Sequence, residues 1–406
     1  MPGHQSQSYS FNALLGSLHL DQQAPPASIV IIGSGLAGYT VIREIRKLDK
    51  SVPITLVTRE PGYFYSKPML STALASNKEA EQLISGNSES MATQLDITIL
   101  GGVDVSAIDT KAHTITTSQG ILSYGKLVLG LGADQIRLPL QGNAAHQVMT
   151  VNDLEEYAEF RKVIHDKKQI TILGAGLIGC EFANDLISKS FKVDVIDLAP
   201  QALGRLLPEA AALALQNKLS DGGVRWHFGT TVQSLDCEGD HLKITLANGN
   251  MIQSDVFLSA VGLKPRLALA KAAGIETALG IQVNRQLKTS AQNVYAIGDC
   301  AEVDGLVLPY VMPIMQAARA LAPTLIGQET TLTYPAMPVM VKTPALPTIV
   351  SPPAKDSNGQ WKINTVEGGI EARFESTDGQ LLGFALLGTA TAQRGALTKE
   401  LPSILS

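Results

Sequence analysis

Apolar residues fall in short unbroken runs along most of this chain, and two of the runs lead into stretches with helical spacing. "SIVII" sets four β-branched residues, Ile29 to Ile32, in a row and predicts a buried strand. Past a glycine-rich turn the period becomes that of a helix, with Ile42, Ile45 and Leu48 on one face. The same strand–turn–helix pattern returns in "ITILGAGLIGCEFANDLI", residues 170–187. "PITLVT", "LVLGLGA" and "FKVDVIDLAP" read as further strands, and "MPIMQAARALAPTLIG" as a helix. Residues 360–388 alternate instead, which predicts short strands joined by Gly-Gly and Asp-Gly turns, with the helix "TAQRGALTKEL" behind them. Residues 1–26 are rich in Gln, Ser and Pro and are expected to be a flexible extension, in which "FNALLGSLHL" has the spacing of a short amphipathic helix.

One charge interrupts this apolar pattern. In "YFYSKPMLS", residues 63–71, Lys67 sits between aromatics and a proline, just after the strand "PITLVT". Pro68 fixes its own φ and restricts the residue before it, so the loop is stiff.

Composition narrows the classes. The chain has 406 residues, 45% apolar and 17% charged, which suits a globular protein of two or three domains. A net charge of −5 argues against a nucleic-acid partner. Cys180, Cys237 and Cys300 are far apart, which excludes a disulfide framework, a zinc knuckle and a local dithiol. The seven histidines show no metal spacing, so no bound metal is expected. No apolar run reaches the roughly 18 residues of a membrane span, and no signal peptide is visible. A reducing cytoplasm is the expected compartment.

The turns carry the first chemistry. Gly33-x-Gly35-x-x-Gly38 follows a strand and opens a helix. That is the context in which Gly33 makes the turn, Gly35 admits a pyrophosphate and Gly38 lets helix and strand pack. The helix N-terminus, with Ser34, Leu36 and Ala37 around it, offers free N–H groups to phosphate. Gly174, Gly176 and Gly179 repeat the spacing, so two dinucleotides are expected, with electrons moving between them. Asp197 lies 23 residues beyond Gly174 (197 − 174), where a carboxylate grips a ribose 2′-OH. No arginine follows it to receive a 2′-phosphate, so NAD(H) is favoured over NADP(H). In the first unit the strand ends in Thr58, with Glu60 two residues on, and either could serve the ribose. "NVYAIGDCAEV" ends a strand at Gly298 and Asp299, and a carboxylate there can accept hydrogen bonds from the ribityl hydroxyls of a flavin.

Together these elements resemble the two-dinucleotide flavoproteins, the pyridine nucleotide-disulfide oxidoreductase superfamily. The resemblance covers roughly residues 27–406. It implies an α/β fold of two Rossmann-like domains, an FAD domain interrupted by an NAD domain, closed by a C-terminal α+β interface domain. The expected limits are 27–140 and 268–334 for the FAD domain, 141–267 for the NAD domain and 335–406 for the interface domain. The dithiol members carry cysteines on the first helix and a histidine near the C-terminus. Here no cysteine precedes Cys180 and the last histidine is His241, so thiol chemistry and histidine catalysis are not expected. Relatives with one active cysteine place it near residue 70, where this chain reads "SKPMLSTALA". The segments "YSKPMLST", "GAGLIGCEFANDL", "SAVGLKPR", "YAIGDCAEVDG", "YVMPIM" and "VKTPA" are similar to the ferredoxin- and rubredoxin-reductase branch, and most closely to rubredoxin reductases of alkane-oxidising bacteria.

That resemblance implies hydride transfer from NADH to FAD, then single electrons to rubredoxin, an acidic iron protein, with an alkane hydroxylase downstream. It also implies a basic patch near the flavin edge. Lys67 and Glu181 are the implied catalytic pair, meeting at the flavin–nicotinamide junction, because a buried ammonium must be paired to stay charged. Val105 is expected to present its backbone to the adenine or to pack as core. Val311 is expected to offer an N–H at a helix start to the flavin pyrimidine. Lys342 is expected to meet the flavin, to dock the acceptor, or to be a strand-edge lysine. Cys180 and Cys300 are expected to be packing residues. A [2Fe–2S] ferredoxin as acceptor, and an NADH-responsive flavoprotein without a catalytic role, are the alternatives.

Overall fold

The computed structural model describes residues 28–406, so the expected extension at 1–26 lies outside the described residues. β1 (Ile29–Ile32) is buried along its length, and α1 (Leu36–Leu48) packs its Tyr39, Val41, Ile42 and Ile45 inward. Leu48 is a correction to the expected face: it is 53% exposed at the helix end. Each three-residue step falls about 60° short of a full turn, so Leu48 lies about 120° around the helix from Ile42, off the core stripe. Arg46 and Lys47 occupy that turn, where cations complement the dipole.

β2 (Ile54–Thr58), β3 (Thr98–Gly101) and β4 (Lys126–Leu129) join β1 in one parallel sheet, in the order β4-β1-β2-β3. The chain then leaves this sheet. Residues 133–135 run out beside residues 263–265, which come back, and the two segments pair antiparallel as a ribbon. Beyond the ribbon α2 (Leu154–Val163) precedes a second parallel sheet, made of β5 (Gln169–Leu173), β6 (Lys192–Asp197), β7 (Val224–Phe228) and β8 (Val256–Ser259). Its order is β7-β6-β5-β8, with α3 (Leu177–Ile187) opening directly after β5. The first sheet is completed only afterwards, when β9 (Val294–Ala296) pairs with β4. One sheet is thus closed around the insertion of another.

α4 (Val311–Leu325) lies against α1. The remaining chain forms an antiparallel sheet from β10 (Val339–Val341), β11 (Thr348–Ser351), β12 (Gln360–Val366), β13 (Gly369–Glu375) and β14 (Leu381–Gly388). Its order is β10-β11-β14-β13-β12, and α5 (Arg394–Glu400) follows, as the alternating pattern predicts. Among the described residues no helix is long and apolar enough to cross a membrane. Cys180 and Cys300 are buried, and burial pushes their thiols up to about 12 and about 11, so both stay protonated and act as packing residues.

Candidate active site

A cavity of about 1300 Å³ lies where the two parallel sheets and the C-terminal sheet meet. Ordinary small-ligand pockets run roughly 300–1,000 Å³, so this one has room for a dinucleotide. One wall is the turn after β1. Gly33 adopts φ +112°, and a Cβ there would stand 2.2 Å from the Gly130 carbonyl oxygen. A Cβ on Gly38 would meet the Gly33 oxygen at 2.0 Å, so this pair locks helix to strand. Around Gly35 no protein atom comes within 4 Å of a Cβ position, which leaves that face to a ligand. Gly35 is the N-cap of α1 and supplies no side-chain cap, so the first-turn N–H groups remain free for phosphate. The turn at Gly174, Gly176 and Gly179 repeats this: φ +111° at Gly174, 1.8 Å from a Gly179 Cβ to the Gly174 oxygen, and open space at Gly176. The expected fit of two dinucleotides is therefore met by two cradles of the same build.

At the end of β2 the Thr58 hydroxyl pairs with that of Ser34 at 2.9 Å and accepts from the Glu60 N–H at 3.2 Å. Thr58, Glu60 and Val105 all line the cavity. Burial raises the Glu60 carboxyl above its ordinary range. Val105 lies on the strand Val105–Asp109, half-buried against the core, where a bulge interrupts the pairing with residues 114–117. Asp197 ends β6 outside the cavity. Its carboxylate accepts from Ala175 N–H at 2.5 Å and Ala199 N–H at 2.7 Å, so it braces the second glycine turn.

Deeper in the cavity Asp299 follows Gly298, whose φ is +80° and whose missing Cβ would lie 2.9 Å from that of Ala37. Burial pushes Asp299 up, and the Lys67 ammonium pulls it back. Lys67 opens the 3₁₀ turn Lys67–Thr72. Burial lowers its pKa from the ordinary value and Asp299 raises it again. Val311 begins α4 at the cavity edge, 41% exposed, and its N-cap Tyr310 provides no side-chain cap. Its own N–H makes no backbone hydrogen bond among the described residues.

The expected ion pair between Lys67 and Glu181 is not present, and this is the main correction. The Lys67 ammonium donates to Asn152 Oδ1 at 2.6 Å. Glu181 has no solvent exposure and is held by three donors of its own: Ser71 Oγ at 2.6 Å, the Lys342 N–H at 3.0 Å and the Lys342 ammonium. Lys342 lies just past β10, where that strand meets α3, so it reaches Glu181 at closer range than Lys67 does. Lys342 is thus neither a free docking charge nor an open strand-edge lysine. Glu181 also sits one turn past the helix start, too far in to serve as a cap charge.

Three residues of this network were not singled out from the sequence. Ser71 and Asn152 meet their partners 110 and 85 positions away in sequence, so only the fold reveals these contacts. Asp185 had a signal: with Glu181 and Asn184 it forms a polar stripe at i, i+3 and i+4 on an otherwise apolar helix. Its carboxylate accepts from Leu74 and Ala75 N–H at 3.1 and 2.8 Å, while Asn184 accepts from Ala345 N–H at 3.1 Å. The charge of the cavity lining is mixed. Seven basic side chains line the cavity (Arg59, Lys67, Lys264, Arg266, Lys271, Lys342, Arg394) against six acidic ones (Glu60, Asp104, Asp134, Asp153, Glu181, Asp299). Of these, Arg266 pairs with Asp134 and Lys342 with Glu181, while the Lys67 ammonium has no carboxylate within ion-pair distance among the described residues.

Comparison with known proteins follows this geometry. Residues 27–322 match the model of the family described as pyridine nucleotide-disulphide oxidoreductase. Residues 331–401 match a rubredoxin binding C-terminal domain. The chain is 47% identical to a rubredoxin-NAD(+) reductase of Alcanivorax borkumensis over 93% of this chain and 99% of that protein. It is 46% identical to one of Acinetobacter baylyi, over 93% and 98%. Among solved structures, the ferredoxin reductase for the CYP199A2 system of Rhodopseudomonas palustris is similar with a TM-score of 0.83 and 27% identity, covering 93% of this chain and 95% of that one.

Proposed function

The chain belongs to the pyridine nucleotide-disulphide oxidoreductase family, and we propose that it carries electrons from NADH through FAD to rubredoxin. One observation carries the reading: a cavity that begins at a dinucleotide cradle, holds no cysteine in its lining, and ends against the segment that matches a rubredoxin-binding domain. Without a thiol to receive electrons, the acceptor must come from outside.

FAD and NAD(H) are the family's cofactors, and FAD supplies uptake of two electrons as hydride and their release one at a time. The residues present fit them. Gly33, Ser34, Gly35, Leu36, Ala37 and Gly38 would hold the FAD pyrophosphate through the free amides of α1. Asp299 would accept from the ribityl hydroxyls, and Val311 would offer its N–H to the pyrimidine edge under the positive end of α4. Lys67 would place positive charge where the reduced ring is electron-rich, favouring reduction. Gly174, Gly176 and Gly179 would hold the NADH pyrophosphate. Asp197, already bracing that turn, would take the adenosine ribose and repel a 2′-phosphate. Glu181, fixed from three sides, would line the nicotinamide end without moving.

We also assign the FAD domain to residues 27–140 and 268–334, the NAD domain to 141–267 and the interface domain to 335–406. The paired ribbon at 133–135 and 263–265 supports these limits, since it is where the chain leaves and rejoins the first sheet. Beside the cavity mouth Met312 and Met340 are 45% and 57% exposed, near Arg394. Methionine and arginine are favoured where partners dock. A cytoplasmic setting agrees with NADH as donor, and alkane hydroxylation as the downstream use rests on the sequence resemblance alone. The test is anaerobic: NADH is expected to bleach the bound flavin, and added oxidised rubredoxin to restore its colour. A flavin that NADH reduces but rubredoxin cannot reoxidise would contradict the assignment.

A further inference from the structure

The partner of Lys67 is a neutral amide, and its orientation leaves no choice. Lysine only donates and the Ala133 carbonyl only accepts, so Asn152 must turn Oδ1 to Lys67 Nζ, at 2.6 Å, and Nδ2 to Ala133 O, at 3.0 Å. The Asn152 backbone is fixed as well. Its N–H donates to the Glu156 carboxylate at 2.7 Å, and the next residue, Asp153, caps α2. Asn152 is 7% exposed, and Lys67, Asn152, Ala133 and Asp299 all line the cavity. Among the described residues no carboxylate comes within the 4.0 Å of an ion pair to the Lys67 ammonium. The charged groups facing it at longer range are Asp299, Arg266, Glu60 and Asp153.

We propose that Asn152 is a positioning residue for flavin reduction: it aims the Lys67 ammonium into the cavity while leaving its charge uncancelled. A carboxylate in its place would hold the lysine equally well but neutralise it. An apolar residue would release it. The inference rests on the NADH–flavin reading above.

The experiment measures the flavin midpoint potential of the purified holoprotein by spectroscopic titration, with anaerobic stopped-flow reduction by NADH alongside. Asn152→Asp is expected to move the potential to a more negative value and slow reduction about ten-fold, equal to about 1.4 kcal/mol, with NADH affinity little changed. Asn152→Leu is expected to do the same in the wild-type background and nothing further in a Lys67→Met background, since only the lysine carries the effect. An unchanged potential in both single variants would overturn the proposal. So would an Asn152→Leu shift that persists undiminished beside Lys67→Met, which would mark a merely structural role. Should Asn152→Leu not retain FAD, the near-isosteric Asn152→Asp decides alone. Wild-type flavin that NADH fails to reduce would overturn the underlying function instead, and this inference with it.

Discussion

Lys67 is the residue to which the proposed flavin chemistry assigns the key charge. Replacing it with methionine keeps an unbranched side chain one atom shorter and removes the charge. Lys67→Met is expected to slow flavin reduction by NADH at least ten-fold, the weight of about 1.4 kcal/mol, while NADH binding stays near wild type. Equal stopped-flow rates for the two proteins would reduce the lysine to scaffolding. Its titration adds a second check. Burial lowers the Lys67 pKa, so its charge is lost at a lower pH than the ordinary 10.5 of a free lysine. The reduction rate should therefore decline with rising pH below that value in wild type, and lose this limb in Lys67→Met. At this scale the sequence was legible where a residue's role is local. Gly38 packs against Gly33 and Gly179 against Gly174, each five positions away, so both turns could be read from spacing. It was illegible where the partner is distant. Lys67 takes Asn152 and not Glu181, because which of two acids or amides lies closest is decided by packing across the cavity.

α3 is the element that joins the three sheets. Its N-terminus carries the second glycine turn, Glu181 grips Ser71 and Lys342, Asn184 grips Ala345, and Asp185 grips Leu74 and Ala75. Lys342→Met would leave the fully buried Glu181 carboxylate without its cation. Removing one partner of such a pair costs about 3–5 kcal/mol, so a clear fall in the thermal midpoint of the holoprotein is expected. A midpoint within a degree of wild type would show that the pair holds nothing together. Asp185 makes a pH prediction. Burial is the main cause that pushes its carboxyl up to about 6, against the pull of the two amides. The folded state then binds the proton more tightly than the unfolded one, so stability falls as pH rises from about 4 through about 6 and is level above. Asp185→Asn cannot titrate. The stability of wild type relative to that variant should drop by about 3 kcal/mol across the window, from two pKa units at 1.36 kcal/mol each. Parallel urea profiles for the two proteins would refute this. The polar stripe on α3 could be read from spacing; what it holds could not.

The molecule as a whole sets two glycine-turn cradles on two parallel sheets and places beside them the segment that matches a rubredoxin binding domain. Repeated glycine spacing announced both cradles, and the alternation at 360–388 announced the antiparallel sheet. A basic patch near the flavin edge was expected from the acidity of rubredoxin, despite the overall −5; within the cavity lining acids and bases nearly balance. Electrostatic steering toward an acidic acceptor should therefore be modest, and raising the salt from 50 to 200 mM is expected to change the rubredoxin KM by only a few-fold. A fall in KM-limited rate of a hundred-fold over that range would point to the basic patch instead.

The central claim is that electrons enter from NADH and leave to rubredoxin. Steady-state NADH oxidation with purified rubredoxin as acceptor tests it most directly, run beside NADPH as donor and a [2Fe–2S] ferredoxin as acceptor. The account predicts rapid turnover with NADH and rubredoxin, and at least ten-fold lower kcat/KM on changing either the donor or the acceptor, about 1.4 kcal/mol in each case. Comparable turnover with both acceptors, or with both nicotinamides, would contradict it.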